Sequence, residues 1–371
     1  MPRFISKQSP STLGHETLHR KILMTNRLRS TIAAIAIAAT AGLASPPANS
    51  AGLADTYKGK TVKIVFGFSI GGTYGQYSLM MSEFIGRHIS GNPTIIIQSM
   101  PGAGGLKASN FAGNVMSKEG LSLFMPPDSI VINQLLRPKA VRYDATKFTW
   151  LGNAIESNSV IAVTKRSGVK CWNDGMKREI IMASTGKGSQ TNLVPMILNG
   201  VFGAKFKVIM GYKGSRGSTH AMELGEAQGV SLTSLTLKKN RGNWFDDSNN
   251  PTKAIPIIQI GFTKEPDLAN VPMANEIAKT DEDRQIVNFI ATLGPIGRGL
   301  TTPPGAPKAL SLALRKSLAA LMTDKVFIAS ATKRKLKIQP KSGEEVQKIV
   351  TDIMKIKPAT VARARKAIFG K

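Results

Sequence analysis

The chain holds a single cysteine, Cys171, among 371 residues. No intrachain disulfide can form, so a disulfide-stapled scaffold is excluded. Its neighbour Trp172 suggests that this thiol sits at a partly buried packing position. Histidine is almost as scarce. Of four in all, His15 and His19 precede the apolar N-terminal run. His88 and His220 have no Cys or His at ligand spacing, so no metal site is expected. Aromatic residues make up 6%, too few and too scattered to stack nucleic-acid bases. Acidic residues number 23 against 50 Lys and Arg, a net charge of +27. The bases are dispersed. The densest groups, Lys333-Arg-Lys-Leu-Lys337 and Arg363-Ala-Arg-Lys366, lack interleaved aromatics. Nucleic acid is therefore not the expected partner. A solvated basic surface that draws in anionic solutes is.

Catalytic templates are missing as well. No Gly-x-Ser-x-Gly elbow occurs. Gly59-Lys60-Thr61 has Ala54 where a phosphate loop needs its first glycine, and it precedes its strand. Gly186-Lys187 lacks a following Ser or Thr. With no nucleophile–base pair, no enzyme and no cofactor are expected. A secreted enzyme acting on a small organic acid is the alternative from another class.

No apolar run reaches the roughly 20 residues that span a bilayer. The stretch Thr31–Ala44 falls short of that. It follows Met24 and the basic Asn26-Arg-Leu-Arg29, and it precedes Pro46-Pro-Ala-Asn-Ser50. A basic start, a short apolar middle and small residues at Ala48 and Ser50 read as a secretory signal peptide over 24–50, with cleavage before Ala51. Residues 1–23 read as an extension from a start placed too far upstream. The expected location is the periplasm.

The rest of the chain alternates strands and helices. The spacing predicts strands at Val62–Phe68, Thr94–Gln98, Leu121–Met125, Ile161–Val163, Glu179–Ala183, Lys207–Met210 and Ile255–Ile260. Helices are predicted at Tyr77–Ile89, Leu106–Val115, Ser129–Leu136, from the 184–191 turn to about Val201, Ser218–Gly225, Asp283–Thr292, Lys308–Leu321 and Gly343–Lys355. Leu293–Gly297 reads as extended. Such alternation predicts an α/β fold with parallel sheets.

Four turns stand out: Ser69–Tyr74, Pro101–Gly105, Ser184–Thr191 and Tyr212–Ser215. Each follows a predicted strand, where open α/β sheets place their ligands. All are rich in Gly, Ser and Thr, and none holds a carboxylate. Glycine lets the backbone approach a ligand. Helix N-termini favour anions. Hydroxyls of Ser69, Thr73, Thr185, Ser189, Thr191 and Ser215 can donate to a carboxylate, and Lys187 and Lys213 can add charge. The candidate ligand-binding set is Ser69, Gly71, Gly72, Thr73, Tyr74, Gly104, Thr185, Gly188, Ser189, Gln190, Lys213 and Ser215. Asp128, after the third strand, reads as a helix cap.

An ordered set of motifs carries a family resemblance. It comprises Val62–Phe68 with Gly71-Gly72, Asn92-Pro-Thr94, Met100-Pro-Gly-Ala-Gly-Gly105, Tyr143-Asp-Ala-Thr-Lys-Phe-Thr-Trp150, Thr185-Gly-x-Gly-Ser189, Gly211-Tyr-Lys-Gly-Ser215 and Pro303–Pro307. The set resembles the periplasmic solute-binding receptors of tripartite tricarboxylate transporters, the Bug family. The resemblance implies a two-lobed, type II Venus-flytrap fold of the periplasmic-binding-protein kind. It implies lobe I at 54–158 plus 293–371, and lobe II at 159–292. It implies a small organic carboxylate in the cleft, integral-membrane transporter subunits as partners and a monomeric state. A ligand-binding module for a sensor kinase is the variant reading. Many relatives carry an Asp shortly after the Gly-Gly turn; here that place is Gly75.

Overall fold

The structure is a computed structural model and describes residues 50–245 and 253–370. The segments read as a signal peptide, 24–50, and as an upstream extension, 1–23, therefore lie outside the described residues, apart from Ser50. There, a helix Ser50–Tyr57 begins.

Two sheets organise the described chain. The first contains β1 (Thr61–Phe66), β2 (Thr94–Ser99), β3 (Ser122–Met125), β4 (Thr149–Asn153), β10 (Gly299–Thr302) and the short β11 (Lys341–Ser342), in the order β11-β4-β10-β3-β1-β2. The second contains β5 (Ser159–Thr164), β6 (Ile180–Ser184), β7 (Phe206–Met210), β8 (Gly229–Thr233) and β9 (Ala254–Ile260), in the order β7-β6-β8-β5-β9. β1 pairs in parallel with β2 and β3, and β6 in parallel with β7 and β8. The remaining pairings are antiparallel: β10 with β3 and β4, β11 with β4, and β5 with β8 and β9. The sheets are thus mixed, where strand–helix alternation alone predicted parallel ones. The antiparallel pairings are those made by the strands that carry the chain between the sheets, β4, β5, β9 and β10, and by the short β11. β5 follows β4 out of the first sheet, and β10 returns the chain to it.

Local sequence explains most elements. β5 is buried along its whole length, as a central strand covered on both faces should be. Ser342 and Glu345 form a capping box at helix Gly343–Met354. Thr280 caps Asp281–Ala291, and Asp324 caps Lys325–Lys333. The segment read as extended at Leu293–Gly297 instead makes a short helical turn, Gly294–Ile296. There Pro295 takes a first-turn position that suits its fixed φ.

Each sheet is covered on both faces. On the first, Ile64, Phe66, Tyr77 and Met80 pack on one side, and Val65, Phe124 and Trp150 on the other. On the second, Ile161, Met182, Leu193 and Phe289 pack on one side, and Val160, Val230 and Trp244 on the other. The terminal helix Pro358–Phe369 places Val361, Ala364 and Ile368 in that second-sheet core. It lies so close to helix Gln190–Phe202 that a Cβ on Gly200 would come within 2.4 Å of the Ala367 Cβ. Cys171 is exposed, while Trp172 beside it is buried. The aromatic ring, and not the thiol, fills the packing site. Among the described residues no helix is long and apolar enough to cross a membrane.

Candidate functional site

The four glycine-rich turns meet between the two sheets. The turn after β1 enters helix Thr73–Phe84 through Gly72, which has no side-chain cap. A Cβ on Gly72 would lie 3.1 Å from Ser215 Oγ, in the turn after β7. Ser69 Oγ donates to the Lys213 carbonyl across the same gap at 2.8 Å. The turn after β2 meets the turn after β6 backbone to backbone. Gly104 has φ +69, and a Cβ there would approach Ser189 N to 2.4 Å. The Gly188 carbonyl accepts from Ser129 Oγ and Asn133 Nδ2, both at 2.6 Å. Glycine is needed at Gly104 on two counts: its left-handed backbone and the second sheet's turn pressed against it.

Gly75 has a physical reason too. A Cβ there would sit 2.1 Å from the Ile70 carbonyl oxygen. The β1 turn folds back onto its own helix, so no carboxylate can stand at this position without moving the turn.

The hydroxyls of the β6 turn are largely engaged with one another. Ser184 Oγ and Thr191 Oγ1 are 2.9 Å apart, and Thr185 N donates to Thr191 Oγ1 at 3.0 Å. Ser189 Oγ donates to the Gly186 carbonyl at 3.1 Å. They shape the turn and leave few free donors.

The charge in the cleft comes from elsewhere. Arg298 is 3% exposed. Its Nη2 donates to Thr73 Oγ1 at 3.1 Å, Thr236 Oγ1 at 3.0 Å and Thr233 Oγ1 at 3.4 Å. These partners belong to both sheets' elements, so one guanidinium ties the lobes together. Its Cζ lies 4.1 Å from the Tyr74 ring centroid, a cation–π contact. Nη1 stands 4.0 Å from Asp128 Oδ2. Nε is buried without a hydrogen-bond partner. A buried guanidinium donor left unpaired is costly and marks a place for an acceptor. The Arg298 backbone is left-handed, φ +53. Strain of this kind persists where the surroundings over-determine it.

Asp128 is 5% exposed. Its backbone N–H donates to Tyr74 Oη at 2.8 Å, and Tyr74 stacks on Phe68 at 4.5 Å. Gln190, with its amide nitrogen toward Asp128 Oδ2 (3.2 Å) and Ser159 Oγ (2.9 Å), turns its oxygen to Thr233 N (2.9 Å). Burial pushes the Asp128 carboxyl above its ordinary value, and Arg298 only partly offsets this. The helix that follows starts from Ser129 with no side-chain cap. Asp128 therefore lines the cleft and does not cap that helix.

The cavity at the centre is about 30 Å³, room for one or two waters. Its walls include Gly72, Thr73, Tyr74, Thr185, Ser189, Gln190, Thr191 and Ser215 from the turns. Asp128, Thr236 and Arg298 complete its polar lining, and Phe68 and Leu232 are apolar. Ser69, Gly71 and Lys213 line a neighbouring opening at the rim. Gly104 and Gly188 lie at the contact between turns. Lys187 is exposed and outside this lining. Arg298 and Thr236 escaped the sequence reading. Its one signal for Arg298 was a lone arginine between two glycines, Gly297 and Gly299, ahead of a buried strand. Among the described residues no three His, Cys, Asp or Glu side chains gather as a metal site.

Solved structures share this architecture. The periplasmic binding protein BugD superposes with a TM-score of 0.65 at 18% identity, covering 84% of this chain and 98% of its own. The two-lobed fold is that of the periplasmic binding proteins. Rpa4515 of R. palustris, solved with adipate, matches with a TM-score of 0.63 at 17% identity, over 82% of this chain and 97% of that one. MatC from Rhodopseudomonas palustris, with bound malate, matches at 0.63 and 16%, over 83% and 99%. No protein-family model matches the chain, and no curated protein does.

Proposed function

We propose that the chain is an exported solute-binding receptor whose two lobes close over a small organic carboxylate. The buried Arg298 guanidinium carries this reading. It sits in the cavity, is held by hydroxyls from both lobes, and keeps one donor unpaired. The shared fold with adipate- and malate-bound proteins supports the ligand class. The cavity is too small to admit such an acid as it stands, so entry requires the lobes to part, and hinge closure follows. The proposed ligand set is the turn residues Gly72, Thr73, Tyr74, Thr185, Ser189, Gln190 and Ser215, with Arg298 as the charge anchor. Ser69, Gly71, Gly104, Gly188 and Lys213 shape the rim and the contact between turns.

Asp128 narrows the choice of ligand. Beside Arg298 it leaves the buried charge near balance. Each ligand carboxylate then adds an unmatched buried charge, one for a monoacid and two for a diacid, at high cost unless the ligand brings its own compensating group. A monocarboxylate with a donor group facing Asp128 therefore fits better than a plain diacid. The remaining parts of the reading are a signal peptide at 24–50, periplasmic location, a monomer, delivery to integral-membrane subunits and no catalysis. The lobe ranges 54–158 plus 293–371 and 159–292 belong here too, with the terminal helix straddling them.

The test is a thermal-shift panel of mono-, di- and amino-acid carboxylates on purified protein, with Arg298→Ala alongside. A ligand that binds only the folded state raises its melting temperature by mass action. The reading expects a shift for wild type with at least one acid, and none for the variant. A panel without any shift contradicts it.

A further inference from the structure

The two lobes leave a second gap away from the cleft, a groove of about 660 Å³. One wall is helix Ser234–Asn240, which continues directly from β8. It contributes Lys238 and Lys239. The opposite wall follows helix Lys325–Lys333 and contributes Lys335 and Lys337. These lysines include part of the densest basic cluster in the sequence, which the cleft does not use.

The charges are unevenly matched. Asp267 is shared, pairing with Lys238 and standing 3.7 Å from Lys337. Glu156 faces Lys341 at 3.4 Å. Glu265 accepts from Ser234 Oγ at 2.7 Å and from Asn158 N at 3.2 Å. Lys239 and Lys335 have no carboxylate partner among the described residues. Burial, and then the nearby Lys335 and Arg334, lower the Lys239 ammonium below its ordinary value. Lys335 is held at φ +55, a left-handed backbone.

We propose that this groove binds a compact, multiply charged oxyanion of the phosphate or pyrophosphate class, between Lys239 and Lys335. A concave site with cations on facing walls suits such a group. A flat membrane surface would reach exposed Lys335 and Lys337 but not half-buried Lys239. The helix that carries Lys239 also carries Thr236, which accepts from Arg298 in the cleft. In this arrangement, with Arg298 bonded to Thr236, the lobes hold Lys239 and Lys335 facing each other across the groove, and an anion there relieves the repulsion. Occupancy of the groove favours closure, and closure favours occupancy.

Calorimetric titration with sodium pyrophosphate, ionic strength held constant with NaCl, tests the site without any organic acid. Wild type should show saturable one-site binding. Lys239→Ala with Lys335→Ala should weaken it at least about tenfold, the scale of two lost charge-assisted contacts. Lys63→Ala with Lys366→Ala, an equal charge change elsewhere on the surface, should not. Circular dichroism checks folding, and Gln at both positions serves if Ala does not fold. No saturable binding, or equal loss in both pairs, overturns the proposal. So does pelleting with phosphatidylglycerol vesicles that needs Lys239 and Lys335 while pyrophosphate fails to bind. A second arm rests on the receptor reading: pyrophosphate should raise the affinity of a cleft-bound acid by about fivefold or more. An unchanged affinity, with pyrophosphate bound, overturns the closure half alone.

Discussion

The cleft and the lysine groove are two gaps between the same pair of lobes, and they handle cationic charge in opposite ways. In the cleft one guanidinium is buried, hydrogen-bonded by three threonines and set over an aromatic ring. In the groove, lysines stand part-exposed, and Lys239 and Lys335 have no carboxylate partner among the described residues. The cleft cavity is about 30 Å³ and the groove about 660 Å³. Burying a charge requires fixed partners around it, and those partners make the cleft selective. Part-exposed lysines keep their water and can respond to whichever anion arrives, at an affinity that salt screens.

The largest expected effect comes from breaking the cleft's side of this contrast. Arg298→Ala removes a buried partner of Asp128, two interlobe hydrogen bonds to Thr233 and Thr236, and a third to Thr73. Removing one member of a buried pair costs about 3–5 kcal/mol, to be read as a lower urea midpoint. Affinity for a bound carboxylate should fall about ten- to a hundredfold through the lost charged hydrogen bond from Nε. Arg298→Lys keeps the charge and should recover part of the stability but little of the affinity, because the fork geometry is gone.

Gly104→Ala should come next. It places a Cβ against Ser189 N only when the lobes meet, and it adds the roughly 1–2 kcal/mol cost of a left-handed alanine. Small-angle scattering should show a more open average shape at nearly unchanged secondary structure.

Asp128 offers a pH test. Its folded-state value is raised, so the proton is held more tightly in the native chain than in the unfolded one. Its stabilising share is complete below the unfolded carboxylate value and is lost as pH rises through the raised folded value. The melting temperature of wild type relative to Asp128→Asn should therefore fall from mild acid toward neutrality.

The smallest effect is expected from Ser189→Ala. Its hydroxyl already serves the Gly186 carbonyl, so a loss of about 1 kcal/mol, mostly in stability, should appear by denaturant titration.

The same contrast explains what the sequence could disclose. The Gly/Ser/Thr turns were legible because glycine and hydroxyl residues after apolar strands are local signals. The strands Thr61–Phe66 and Ala254–Ile260 were legible through their apolar runs. Arg298 was not, because its partners Thr73 and Thr236 lie 225 and 62 residues away. Strand β8 and helix Ser234–Asn240 went unread because Ser231-Leu-Thr-Ser-Leu-Thr-Leu237 mixes leucines with Ser and Thr and has no glycine or proline to mark the junction. Helices Lys325–Lys333 and Pro358–Phe369 went unread because their lysines and arginines looked like solvated tails. Their apolar faces, Phe327 and Ala331 in one and Val361, Ala364 and Ile368 in the other, are narrow.

The most direct test of the central claim is calorimetric titration of the acid that gives the largest thermal shift, into wild type and into folded Arg298→Lys and Arg298→Ala. The account predicts one site in wild type, weaker binding in the lysine variant and about a ten- to hundredfold loss in the alanine variant. Equal affinity in all three, with folding confirmed by circular dichroism, would contradict it.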